Sequence, residues 1–288
     1  MPKYSKILFP VDFSDRCRGA GRYVEAIAGR FGSKVVMLHV IETAAHAGDI
    51  DFGALAYEIQ TAEKTQHYRK VLDPFLADEM KYLEVERRLE QGDPARVTID
   101  IAQSEGVDLI MMPTHGYGPF RRFMLGSVTA KVLHDADCAV WTGAHLENSP
   151  PLPDIRFPNI ACAVDTAASN VEPLQAAAEL TEEYGADLTV IHIVPTSDVA
   201  PARYLDTDLR NSLIREAREI LQEQCKNMHI KARVCVEGGD IASYVSLAAK
   251  HHEANLLVIG RPHHSGLGRL KEHSYSIIRE SPCPVLSV

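Results

Sequence analysis

Residues 108–141, DLIMMPTHGYGPFRRFMLGSVTAKVLHDADCAVW, decide how the rest of the chain is read. Leu109–Met112 is a short apolar run of the kind buried in a sheet, and Cys138–Trp141 is another. Between them lie a glycine-bearing loop and a helical pattern beginning at Ser127. Gly116 is followed, after nine intervening residues, by Gly126-Ser127, where that helix begins. Glycine lets backbone approach a ligand closely, and the first turn of a helix carries amides with no intrahelical partner. Strand, glycine loop and helix start together are the means by which α/β proteins hold phosphate.

Upstream the same alternation runs back to the N-terminus. Lys6–Val11 reads as a buried strand closed by Asp12, with Ser14 or Asp15 capping the helix that follows. That helix stops at Phe31-Gly32, and Lys34–Ile41 is a second buried strand. A helical pattern covers Phe52 to Met80, kinked or divided at Pro74, and Tyr82–Leu89 alternates as a third strand. In Gly92-Asp93-Pro94, Asp93 caps and Pro94 opens a helix to about Ser104. Such alternation predicts a parallel sheet with helices on both faces. Ligands in these sheets sit at the carboxyl ends of strands where strand order reverses. Asp12, Val40 and the loop from Pro113 to Ser127 should therefore converge there.

Downstream, Glu147–Pro158 is proline-rich and polar and reads as a linker. After it the plan returns. NIACAV ending in Asp165 matches KILFPV ending in Asp12, and the His192-Ile193 pair matches His39-Val40. Gly239-Asp240 matches Gly92-Asp93, Asn255–Ile259 matches Asp108–Met112, and the segment around Cys283 matches that around Cys138. A repeat this long is duplication of a whole domain. The expected fold is α/β, with two tandem doubly wound domains, each a five-stranded parallel sheet. They span residues 1–146 and 159–288, with 147–158 between them. Two such domains should pair about a pseudo-two-fold axis. The closing strands ending at Trp141 and Val288 offer edges through which two chains could also join as a homodimer.

Composition narrows the function. The 288 residues are 45% apolar and 24% charged, in the range of globular domains. A net charge of −9 argues against a nucleic-acid face spread over the molecule. No stretch approaches a membrane span, and the N-terminal apolar run is too short for a signal peptide. Six cysteines without a CxxC pair read as reduced core thiols, so a cytoplasmic location is expected.

The opening ILFPVDFS, the LHVIE strand end, the GDPA turn and VDLIMMPTHG followed by LGS stand in an order that resembles the universal stress protein family in its tandem form. The likeness covers nearly the whole chain and implies the strand order 3-2-1-4-5 in each domain. The nucleotide-binding branch of that family is marked by Gly-x2-Gly-x9-Gly-Ser/Thr. Here Gly116, Gly126 and Ser127 keep the last three elements, and Pro113 stands at the first glycine. The resemblance implies ATP or a related adenine nucleotide in the first domain, with any Mg2+ held mostly through the phosphates. On that pattern Asp12 meets ribose or adenine and Val40 offers backbone to the base. Met112 and Pro113 lie beside sugar and phosphates. Gly116, Gly126, Ser127 and Val128 supply amides, and Ser127 its hydroxyl. Arg121 and Arg122 stand in the loop where they could screen phosphate charge. Pro113 lacks an N–H and has a fixed φ.

The second half departs further. Gly260 occupies the first glycine position and His263 the second, and the segment to Cys283 is two residues shorter. Counting forward places His273-Ser274 at the Gly-Ser position, and counting back places Lys271-Glu272 there. This half is therefore read as degenerate. His263, His264 and His273, with Asp165 and Glu272, form a candidate metal cluster, set against solvated loop histidines as the plainer reading. His39 and His192 lie in apolar strands and read as packing residues.

The expected role is a nucleotide-dependent stress-response regulator or adaptor with an unidentified protein partner. With no GxxxxGK[ST] lysine and no nucleophile–base pair, it is at most a slow ATPase. One rival is a scaffold or small-ligand or metal sensor in which Pro113 blocks ATP. The other is a hydrolase or transferase whose turnover needs Ser127.

Overall fold

Runs such as ILF, VVML and LIMM become strands because side chains on both sides of the strand find apolar partners, one set above the sheet and one below. The computed structural model describes residues 4–42, 53–115, 125–144, 146–166, 171–195, 207–261 and 273–288. The first half runs β1 (Lys6–Pro10), α1 (Asp15–Phe31), β2 (Lys34–Glu42), α2 (Gly53–Leu72), β3 (Val85–Gly92), α3 (Pro94–Ser104), β4 (Leu109–Pro113), α4 (Ser127–Asp135) and β5 (Ala139–Gly143). The second half repeats it as β6 (Asn159–Ala163), α5 (Val171–Tyr184), β7 (Asp187–Pro195), α6 (Thr207–Asn227), β8 (Arg233–Gly239), α7 (Ile241–His251), β9 (Leu256–Ile259), α8 (Ser274–Glu280) and β10 (Val285–Ser287).

All ten strands form one sheet of order β3-β2-β1-β4-β5-β10-β9-β6-β7-β8. Each half is parallel and reads 3-2-1-4-5 from its outer edge, as expected from the sequence. The halves meet where β5 pairs antiparallel with β10: Val140 opposes Ser287, Trp141 opposes Leu286, and Thr142 opposes Val285. The duplication equates Val140, Trp141 and Thr142 with Val285, Leu286 and Ser287, so this register maps onto itself. A pseudo-two-fold axis therefore passes through the Trp141–Leu286 pair. The expectation that these closing strands serve as edges for joining two chains is corrected here, because each edge is consumed by the other. The outer edges of the sheet are β3 and β8.

Alternation along the strands divides the apolar side chains between two cores. Trp141 and Leu286 belong to the layer under α1 and α5, and Val140 and Val285 to the layer under α3, α4 and α7. Ser14 caps α1 by accepting from the Cys17 amide, and Gly32 closes it at φ 66°. Asp93 caps α3 with Pro94 behind it, and Asp240 caps α7.

Two boundaries differ from the sequence reading. The helix expected to reach Met80 stops at Leu72, because Pro74 disfavours helical backbone at the residue before it. The chain then turns, with Leu76 at φ 52°. The third strand begins at Val85 instead of Tyr82: Tyr82 stands in solvent while Leu83 packs on the core from the turn. The proline-rich segment after β5 is no loose tether. Leu146 and Phe157 are buried, and Arg16 on α1 pairs with Glu147 at 3.3 Å. Gly19 makes room for this strap, since a Cβ there would lie 1.8 Å from the Leu146 carbonyl oxygen.

Candidate functional site

Strand order reverses between β1 and β4, and a cavity of about 470 Å3 opens at the carboxyl ends of β1, β2 and β4. It is lined by Asp12, Val40, Met112, Pro113, Gly126, Ser127 and Val128. The structure thus brings together every sequence-derived site residue of the first half that it describes. Gly116, Arg121 and Arg122 lie outside the described residues.

Each wall follows from local geometry. Leu38 accepts from the Val11 amide at 2.8 Å, so its backbone groups face β1. Alternate residues of a strand face the same neighbour, and the N–H and C=O of Val40 consequently point the same way, past the end of β1 at Pro10. They open into the crevice. Asp12 follows β1 and is held by two donors, the Ser14 amide at 3.0 Å and the Cys17 thiol at 2.9 Å, both on Oδ1. Burial and the neighbouring Asp12 push the Cys17 thiol well up, so it remains a neutral donor.

The opposite end is the start of α4. Where α1, α3 and α7 have a side-chain cap, α4 has Gly126, which offers none. The first intrahelical bond runs from the Ala130 amide to the Gly126 carbonyl at 2.8 Å. The amides of Ser127, Val128 and Thr129 precede it and have no intrahelical acceptor. Ser127 is exposed, and the first turn of α4 holds no acidic residue, so nothing there competes with an anion. Gly126 is favoured by space and not by dihedral angle: its φ is −64°, but a Cβ would lie 3.3 Å from Thr114 O and His115 Cα, so the backbone there would have to give way slightly. Thr129 ties α4 to the end of β4 by donating its hydroxyl to the Pro113 carbonyl at 3.1 Å. Pro113 keeps that acceptor although it has no amide.

Sequence reasoning missed several lining residues, among them Cys17, Lys64, Tyr68, Thr98 and His115. Lys64 and Tyr68 stand one turn apart on α2, a spacing visible in the sequence once the helix is placed over the cavity. Tyr68 packs on His39 at 4.5 Å, with Phe13 on His39 at the same centroid distance. His39 donates Nδ1–H to the Val11 carbonyl at 2.8 Å, and His192 does the same to Val164 at 2.9 Å. Burial lowers both imidazole pKa values, so each ring is a neutral tie between neighbouring strands.

In the second half α8 begins at Ser274 with His273 before it, so the forward count is the one the chain follows. The two missing residues shorten the end of the helix. The alternative that put Lys271-Glu272 at the helix start is corrected accordingly. The helix start there has His273, at ψ 0°, where α4 has an extended glycine. His263 and His264 lie outside the described residues, and among the described residues no group of three or more His, Cys, Asp or Glu is placed to hold a metal ion.

A duplicated doubly wound fold, with a crevice at its switch point and an uncapped helix start facing it, defines a tandem doubly wound α/β protein. The universal stress protein family model matches residues 3–142 and again 156–288, and the chain belongs to that family. It is 29% identical over 143 residues to a universal stress protein of Methanocaldococcus jannaschii, covering 45% of this chain and 88% of that one. A second from the same organism is 30% identical over 139 residues, covering 48% and 80%. The crystal structure of a universal stress protein from Archaeoglobus fulgidus shares the fold at TM-score 0.69 and 22% identity, covering 99% of this chain and 96% of that one. No helix among the described residues is long and apolar enough to cross a membrane.

Proposed function

We propose that the chain binds an adenine nucleotide, ATP in the first instance, in the crevice of its first half, and that occupancy governs contact with a protein partner. One observation carries this reading: the uncapped start of α4 faces the same cavity as the Asp12 carboxylate and the open backbone of Val40. A ligand that fits is anionic at one end and rich in donors at the other. Phosphates would accept from the amides of Ser127 and Val128 and from the Ser127 hydroxyl. Ribose hydroxyls would donate to Asp12, and the base edge would pair with Val40. Lys64 adds a cation at the rim and Tyr68 an aromatic wall. Magnesium would enter with the phosphates. Pro113 withholds one amide but presents its carbonyl to Thr129, so it shapes the floor without closing it. Six free cysteines fit a reducing compartment, and we place the protein in the cytoplasm.

Calorimetric titration of ATP into nucleotide-stripped protein tests this. We expect one site per chain, lost in Gly126→Val, whose side chain would press on Thr114 and His115 while the fold persists. Two sites would mean the second half also binds. No heat, and no nucleotide released from freshly purified protein on denaturation, would leave the scaffold reading in its place.

A further inference from the structure

Thr114 and Arg261 are corresponding residues of the two halves. Each donates its amide to the last carbonyl beside it, Thr114 to Gly143 at 3.1 Å and Arg261 to Val288 at 2.8 Å. Their side chains then part. The Thr114 hydroxyl stays at home, 3.3 Å from the Gly143 carbonyl and 3.0 Å from His115 Nδ1. The Arg261 guanidinium crosses the seam and donates Nη1–H to the carbonyl of Ala136, the residue that closes α4. Arg261 is only 5% exposed; burial lowers its pKa, and the charges of Glu172 and Asp137 offset part of that cost without an ion pair to either among the described residues. The negative end of α4 adds to that compensation, because the carbonyl Arg261 reaches is the one at its C-terminus. A second contact follows the same route. Tyr275, in the first turn of α8, directs its hydroxyl to the Ala130 carbonyl at 3.4 Å.

We propose that the second half is a working part of the first half's ligand site: Arg261 and Tyr275 grip α4 by its carbonyls from across the seam and so fix where its N-terminal amides point. This rests on the nucleotide reading above. The physical need for a grip is plain. α4 has nine residues and no side-chain cap, too short to hold its own geometry, so its position is set by what touches it. Within its own half it is tied by Thr129 to Pro113 and by Lys131 to Asp93 at 3.3 Å. Tyr275 acts on the turn that carries the ligand amides and Arg261 on the last turn. Because the Arg261 contact has no counterpart at Thr114, the brace runs from the degenerate half to the binding half. Coupling is reciprocal, so an anion drawn onto the Ser127 amides must also be felt at α8. Duplication followed by erosion of one loop thus leaves a site and its readout in one chain.

The test uses the full-length chain and ATP. Affinity is measured by calorimetry for wild type, Arg261→Met, Arg261→Lys and Tyr275→Phe, and amide hydrogen exchange of residues 274–280 is followed with and without ATP. We expect Arg261→Met to weaken binding roughly tenfold or more, Arg261→Lys to recover part of the loss, and Tyr275→Phe to weaken it about twofold. In wild type ATP should slow exchange in α8, an effect a merely structural arginine would not produce, and Arg261→Met should abolish it. Unchanged affinity in folded Arg261→Met overturns the proposal. So does unchanged exchange in α8 of ATP-bound wild type, an outcome that holds even if Arg261→Met fails to fold. Absence of ATP binding in wild type sinks the nucleotide reading itself and the brace with it.

Discussion

Phe13 shows how the site is set residue by residue. Its φ of 63° places an aromatic residue in the left-handed region, a strain of about 1–3 kcal/mol that packing must offset. The offset comes from His39 at 4.5 Å and Phe75 at 5.2 Å, where the ring lodges. The turn it makes carries the chain from β1 into α1 while holding Asp12 at the crevice, tied by Ser14 and Cys17. Asp165 closes β6 at the corresponding place, in the half whose helix start lacks the glycine. Asp12→Ala should therefore weaken ATP binding by about tenfold or more, the worth of a charged hydrogen bond, while Asp165→Ala leaves it unchanged. Equal losses in the two variants would refute the asymmetry between the halves.

At the scale of elements, the amino ends of the first-half strands are joined by an ionic chain that has no counterpart among the described residues of the second half. Lys34 on β2 and Arg88 on β3 both pair with Glu86, and Arg88 and Lys6 share Glu105 after α3. Hydrogen bonds from Arg88 and then Lys34 hold the Glu86 carboxyl at about 2, below its ordinary 4.5. A depressed carboxyl stabilises the fold above its ordinary pKa, and that contribution is lost as pH falls toward 2. The group is well solvated, so the effect is small. Glu86→Gln should lower the melting temperature slightly at neutral pH and flatten its decline between pH 4.5 and 2; parallel curves for both proteins would contradict this. The strands and the caps at Asp93 and Asp240 were legible in the sequence because apolar runs and cap residues report local physics; Ser14 stood beside Asp15 as the first cap, and the strand order followed only from the family resemblance. The third strand was misjudged because an edge strand alternates weakly and Leu83 takes a core place from a turn. Lys64 and Tyr68 escaped because α2 is polar around its described surface, and only tertiary placement sets it over the cavity. The shortened loop of the second half admitted two registers, and the helix start at Ser274 chose between them.

For the whole molecule the decisive feature is that the duplication closes on itself. Two short strands join the halves at the middle of the sheet, with Trp141 against Leu286 on the axis, 1% and 2% exposed, and α1 meets α5 beside them through Arg30 on Glu183 and Phe31 on Tyr184. No composition or periodicity announces such a pairing, since any buried closing strand would read alike. Its consequence is a single sheet whose middle is also the join between the two copies, so the cooperativity of the molecule should depend on the side chains packed there. Trp141 is the chain's one tryptophan, which makes its fluorescence a direct reading of the seam. Leu286→Ala removes apolar contact at the axis and should cost about 2–5 kcal/mol, the range for a buried leucine that leaves a cavity. Because the lost contact joins the halves beneath α1 and α5, the tryptophan emission should shift to the red at lower denaturant than the loss of helical circular dichroism. In wild type the two transitions should coincide. If they also coincide in Leu286→Ala, at an unchanged midpoint, the seam is incidental and each half stands by itself. If they separate, the axis pair is what makes two copies of one domain behave as one protein, and the brace on α4 has the rigid footing it needs.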